Sequence, residues 1–217
     1  FVGGSAALSG VLDGGRFDID APTVNSLDYS GRGAAVSVNL ETGSASGVAG
    51  GFSRITKLVG SSSGSDALIG PRPTLDQTAW VVNGSASSVD DTLFSSFELL
   101  TGQDDTNDAF IVTGSFGGTL DGGTGGLDGF AIVKPAGLLV AYQAASADDG
   151  GSYDGVTFLG MDPFDPLSGS ETDRVVTGTL FDRDMIVAAS GAGLAVRFTN
   201  LTFSDGVNAF DFVIPTA

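Results

Sequence analysis

The chain has 217 residues, 34 of them glycine, with 41% hydrophobic and only 16% charged residues, which is too apolar for a disordered polymer and long enough to bury a core. Its net charge of −17 argues against nucleic acid and anionic membrane as partners, because both are held by clustered Lys and Arg. It lacks Cys and His, which removes disulfides, thiolate and imidazole metal sites, and any catalysis built on histidine.

Taken in order, the elements are short. Phe17-Asp18-Ile19-Asp20 and Ala35–Leu40 alternate apolar and polar residues, as half-buried strands do. Phe52–Gly60 reads as the next strand, and Gly64–Gly70 closes a first long block. Pro71-Arg72-Pro73 breaks the chain, since each proline fixes φ and removes a backbone donor. Ala79–Asn83, Thr92–Leu100 and Phe110–Thr113 read as strands. So do Phe130–Val133, Leu138–Tyr142, Val156–Leu159, Arg174–Leu180, Met185–Ala189, Leu194–Phe198 and Phe210–Ile214. No stretch holds apolar residues at helical spacing over three turns, and no apolar run approaches a membrane span. Gly, Asp, Ser and Asn separate the strands, the pattern of an all-β chain. Phe52, Ile55, Leu58, Trp80, Phe97, Leu100 and Phe110 are the expected core.

The sequence also echoes itself. Leu12-Asp13-Gly14-Gly15 returns half a chain later as Leu120-Asp121-Gly122-Gly123, and Asn107-Asp108-Ala109-Phe110 near the end as Asn208-Ala209-Phe210. The expectation is two tandem, diverged units, residues 1–109 and 110–217. Two architectures compete. A sandwich needs tight hairpins, for which Asp154-Gly155 and Asp205-Gly206 are suitable. A parallel solenoid needs short strands and small residues at its corners, and the abundance of Gly, Ser and Ala favours it.

An ordered series of segments then points to a family. Leu27-Asp28-Tyr29-Ser30, Val36–Gly47, Ile55–Ser61 and Asp66-Ala67-Leu68-Ile69-Gly70 resemble the β-roll segment of RTX-type (repeats-in-toxin) exported bacterial proteins. Trp80–Gly84, Phe97–Gly102, Asp108–Val112 and Leu120–Gly123 resemble the repeat of giant bacterial surface proteins. The likeness covers most of residues 1–130 and is weaker beyond. It implies a right-handed parallel β-solenoid of β-roll type, export to the cell surface or extracellular space, and calcium. In the family's nonapeptide, glycines turn carbonyls to the metal and an Asp supplies a carboxylate. The candidate ligands are Asp66, Asp108, Asp121 and Asp128. The pattern is imperfect: Ser61-Ser62-Ser63 stands where paired glycines belong, Asp128 comes one place late, and Gly102–Asp108 is one residue too long. The competing reading puts these Asp residues in turns that end strands.

Paired carboxylates at Asp104-Asp105, Asp148-Asp149 and Asp182/Asp184 admit glycosidase chemistry in principle. A sugar cleft wants aromatic walls, however, and the chain has one Trp and three Tyr. The expected function is therefore a non-enzymatic structural segment of an exported surface or matrix protein, adhesin- or filament-like, stacking end to end. Its expected partners are further copies, neighbouring repeats and surface glycans, without membrane insertion. The alternatives are a carbohydrate-active enzyme on a β-helix and a calcium-dependent carbohydrate- or surface-binding module.

Overall fold

The computed structural model describes residues 7–15, 24–73, 77–84, 86–126, 128–133, 138–143, 149–153, 155–161, 174–179, 185–190, 193–198 and 210–214. For 138–143 and for the four strands from 174 onward only the backbone is described. The described residues are all-β and contain no helix. In chain order the strands are β1 Leu12–Asp13, β2 Ser26–Asp28, β3 Ser37–Asn39, β4 Ser44–Ala45, β5 Phe52–Ser53, β6 Lys57–Val59 and β7 Ala67–Ile69. Then follow β8 Thr78–Val82, β9 Ser87–Val89, β10 Thr92–Ser95, β11 Leu99–Thr101, β12 Asp108–Val112, β13 Thr119–Asp121 and β14 Gly129–Val133. The rest are β15 Leu138–Gln143, β16 Asp149–Tyr153, β17 Val156–Met161, β18 Arg174–Thr179, β19 Met185–Ser190, β20 Gly193–Phe198 and β21 Phe210–Ile214.

Two large sheets carry most of these strands. One has the order β18-β15-β14-β12-β8-β9-β10-β6-β2 and the other β16-β17-β13-β11-β7-β3-β4. The chain passes from the first sheet to the second and back, adding successive strands in parallel. In the second sheet β3, β7, β11, β13 and β17 form one unbroken parallel ladder. In the first, β2, β6 and β10 form one parallel run and β8, β12 and β14 another. The strand β9 joins the two runs, antiparallel to both β8 and β10. Asn83-Gly84 turns the chain from β8 to β9, with Gly84 at φ 56°, where a side chain would be strained.

Strands this short work because each contributes one large residue to the interior at its centre and polar neighbours outside. In register, Val38, Leu68, Leu100, Leu120 and Phe158 stack along the second sheet. Leu27, Leu58 and Phe94 stack along one part of the first, and Trp80, Phe110 and Phe130 along the other. All of them are buried in a single cluster. Trp80 stacks on Phe110 at 5.1 Å between ring centroids, and Phe130 meets Phe158 across the two sheets at 4.9 Å. Of the expected core, six residues are buried, whereas Phe52 is half-buried at the cluster's edge.

Two expected long strands are each two short ones. Phe52–Gly60 breaks at Arg54, with φ 55°, and Thr92–Leu100 at Ser96, with φ 58°. The break at Ser96 brings its carbonyl against Gly60, where a Cβ would collide with it. The boundary expected between residues 109 and 110 falls inside β12, which is paired on both sides, to β8 and β14. The two Leu-Asp-Gly-Gly copies occupy different ladders: Leu12 pairs with Phe52, whereas Leu120 lies between Leu100 and Phe158.

Leu99 and Leu100 are adjacent and chemically identical, yet Leu99 is 36% exposed and Leu100 0%. Leu100→Ala should cost about 2–5 kcal/mol and Leu99→Ala less than about 1 kcal/mol in urea unfolding. Equal costs would contradict this register.

Candidate functional site

Each passage between the sheets must leave one ladder and enter the next without stranding buried backbone groups. Three times the sequence solves this with one pattern: Leu-x-Gly, five residues, then Asp, a small residue and Leu or Phe. It runs Leu58–Leu68, Leu100–Phe110 and Leu120–Phe130. The first copy leads from the first sheet to the second, and the other two lead back. The Asp residues, Asp66, Asp108 and Asp128, are buried to within 1%.

Asp66 closes its turn onto residues before it. Its Oδ2 accepts the Ser61 N–H at 2.6 Å, and its Oδ1 accepts the Ser61 hydroxyl at 2.9 Å. The same Oδ1 accepts the Val36 N–H at 2.8 Å from the preceding pass. The Asp66 N–H in turn donates to Glu98 Oε2 at 2.9 Å, one pass further on. Asp108 repeats the arrangement on the other edge: Oδ1 accepts the Trp80 indole N–H at 2.8 Å. Its Oδ2 faces the Gln103 N–H at 3.3 Å and the Thr106 hydroxyl at 2.9 Å. The Asp108 N–H donates to Asp128 Oδ1 at 2.7 Å. Each of these three buried carboxylates thus receives a donor from the pass before it.

The glycine of each pattern makes room for this. A Cβ on Gly102 would fall on the Asp108 carboxyl and on the Gly122 carbonyl, and one on Gly122 would strike Asp128. On Gly60 it would come within 2.9 Å of Asp66 Oδ2. Gly102 and Gly122 continue the ladder, donating to the Asp121 and Leu159 carbonyls at 2.7 and 3.0 Å.

Asp121 stands apart from the three buried carboxylates. It is half-buried on β13, and its Oδ1 accepts the Gly123 N–H at 3.1 Å, a local turn bond. Asp104 and Asp105 lie exposed in the 103–107 turn. Asp104 accepts the Thr124 hydroxyl and N–H, which hold its carboxyl below the usual range. Of the other paired carboxylates, Asp148, Asp182 and Asp184 lie outside the described residues. Asp13 and Arg54 form an exposed fork with two contacts, and Arg72 approaches Glu41 at 3.8 Å.

Calcium needs six to eight oxygens converging on one point. The Asp66 oxygens instead meet N–H and O–H donors, and Asp108 Oδ1 meets the Trp80 indole N–H, so these atoms face donors and not an open point. Among the described residues no three acidic side chains are grouped to hold a metal. The four candidate ligands therefore do not fit a calcium site: Asp66 lies on the opposite edge from Asp108 and Asp128, and Asp121 points elsewhere. Glu98, the next member of the Asp66 series, was not expected; it precedes β11 as Asp66 precedes β7, and that equivalence is the signal that finds it.

No family model matches the chain, and searches of known proteins and of solved structures returned no match.

Asp66→Ala would leave the Val36 and Ser61 N–H groups buried without an acceptor, at about 1–3 kcal/mol each. Gly102→Ala should cost at least about 3 kcal/mol, because the obstacles are backbone and a buried carboxyl. Denaturant unfolding measures both. The melting temperature should be the same in calcium and in chelator, since a ligand binding only the folded state would raise it.

Proposed function

We propose that the chain is a structural segment of an exported bacterial surface or extracellular-matrix protein, a right-handed parallel β-solenoid set in line with neighbouring repeats. The observation that carries this reading is the use made of the buried acids. Asp66, Asp108 and Asp128, and the half-buried Glu98 with them, each accept an N–H from the pass before. Groups capable of chemistry are spent on holding successive passes together. The parallel ladders in both sheets support the solenoid, and the likeness to RTX-type and giant surface-protein repeats is the basis for export.

Neighbours joined through the polypeptide fit better than stacking of free copies. Apolar rungs left open at the ends would drive stacking, but Leu27, Tyr29, Val36 and Val38 of the pass through β2 and β3 are at most 2% exposed in one chain, and the exposed apolar side chains before it are the scattered Leu8, Val11 and Val24. Val156 and Phe158 at the other end are equally covered. The Tyr29 hydroxyl donates to the Ser46 carbonyl at 2.7 Å, tying the first pass to the β4 hairpin. Antiparallel strands follow the parallel ladders: β4 and β16 at the two limits of the second sheet, β15 after β14 in the first.

Small-angle scattering on one, two and three copies in tandem tests the reading. The longest dimension should grow by a constant increment per copy, and single copies should stay monomeric at all concentrations. Turnover of a polysaccharide, or tandem copies no longer than one, would overturn it.

A further inference from the structure

Asp66 and Asp108 occupy the same place in the same pattern, yet the hydroxyls beside them point in opposite senses. The Ser61 hydroxyl accepts the Ser63 N–H at 3.0 Å, so its single proton is directed to Asp66. The Thr106 hydroxyl lies 2.7 Å from the Gln103 carbonyl oxygen and 2.9 Å from Asp108 Oδ2. One proton cannot serve both oxygens. The carbonyl oxygen is the nearer acceptor, and an ionised Oδ2, which can also only accept, would leave two oxygens competing for one proton; a neutral acid removes the competition, because the carbonyl then takes the Thr106 proton. A lone pair of the hydroxyl then faces Asp108 Oδ2, and that contact becomes a hydrogen bond only if Oδ2 itself carries a proton.

The remaining contacts agree. The Gln103 N–H stands 3.3 Å from Oδ2, beyond the range expected of a donor to an ionised oxygen. Oδ1 accepts the Trp80 indole at 2.8 Å, as the carbonyl oxygen of a neutral acid would. The charged groups of the surrounding elements are Asp90, Asp128 and Arg72, whose guanidinium reaches the Asp104 carbonyl of the same loop at 3.5 Å. Asp90, in the turn between β9 and β10, acts on Asp108 as a like charge, and Asp128 of the next pass holds its N–H. Burial is the largest influence and pushes the Asp108 carboxyl up to about 6, against the pull of the Trp80 and Gln103 donors.

We propose that Asp108 is a proton-holding site. As a neutral acid it donates from Oδ2 to Thr106 while accepting from Trp80 on Oδ1, and its ionisation loosens the seam where β8 meets β12. The sign follows from linkage. The folded-state value is raised above the unfolded 3.8, so the contribution is complete below about 3.8 and is lost as pH rises to about 6. The inference is independent of the proposed function; it concerns the fold alone.

Asp108→Asn is the decisive variant, because an amide reproduces the neutral acid: Oδ1 accepts from Trp80 and Nδ2 donates to Thr106. Relative to this variant, the wild-type ratio of folded to unfolded protein should fall up to about tenfold per pH unit between about 4 and 6. Above pH 7 the variant should be the more stable of the two. The chain has one tryptophan, so its fluorescence reports on Trp80 directly. It should titrate near pH 6 in the wild type and be flat in the variant. An Asp108→Asn protein that is less stable above pH 7, or that fails to fold, overturns the proposal. So does a flat wild-type fluorescence profile from pH 4 to 7.5, which needs no variant.

Discussion

A backbone N–H that leaves a sheet into a buried corner must find an acceptor, and in this protein a carboxylate from the following pass supplies it. An unsatisfied donor there costs about 1–3 kcal/mol, a large fraction of a domain's net stability. Much else follows from meeting that demand. Glycine must stand six residues before the Asp, because any side chain would occupy the space of the carboxyl. The loop between them has a fixed length, because the carboxylate reaches back to the residue after the glycine, as Asp66 does to Ser61 and Asp108 to Gln103. The bonds also run one way along the chain. Val36 depends on Asp66, Asp66 on Glu98, and Asp108 on Asp128. A pass becomes complete only when its successor is in place.

The same corners illustrate how one motif carries two electrostatic outcomes. Ser61 and Thr106 are both hydroxyl residues inside the loop, and both touch the Asp. What differs is the hydroxyl's other neighbour, an N–H donor for Ser61 and a carbonyl acceptor for Thr106. A contact of 2.7 Å to a backbone oxygen is thus enough to reverse the direction of a hydrogen-bond chain and to change what the buried acid must be. Composition carries no trace of this, since it depends on which atom the loop folds over the hydroxyl.

Much of the fold was legible because short strands with one large central residue leave a clear imprint. Leu58, Trp80, Leu100 and Phe110 could be assigned to the interior from alternation alone. Arg54 and Ser96 hid the breaks in two strands, because neither residue type advertises a positive φ. The hairpin through Asn83-Gly84 was missed because its second strand, Ser87-Ser88-Val89, has a single apolar residue to mark it. The buried acids were noticed, but for the wrong spacing: counting paired glycines made Gly102–Asp108 look too long and Asp128 too late. Counting from the single required glycine to the Asp gives the same interval in all three copies. Glu98 escaped because it keeps the position while changing the residue, its extra methylene still reaching the Asp66 N–H.

The two sheets do not advance at the same rate. Between β10 and β12 the first sheet inserts β9 and β8, whereas β11 and β13 are immediate neighbours in the second. With strands about 4.8 Å apart, one face lengthens by about 14 Å while the other lengthens by about 5 Å. Extra courses on one side only make a local wedge, at the hairpin of β8 and β9 and its pairing with β10. Trp80 is the widest side chain available to fill the thick side of such a wedge, and it lies at that spot, its ring edge over Gly70 and its face on Phe110.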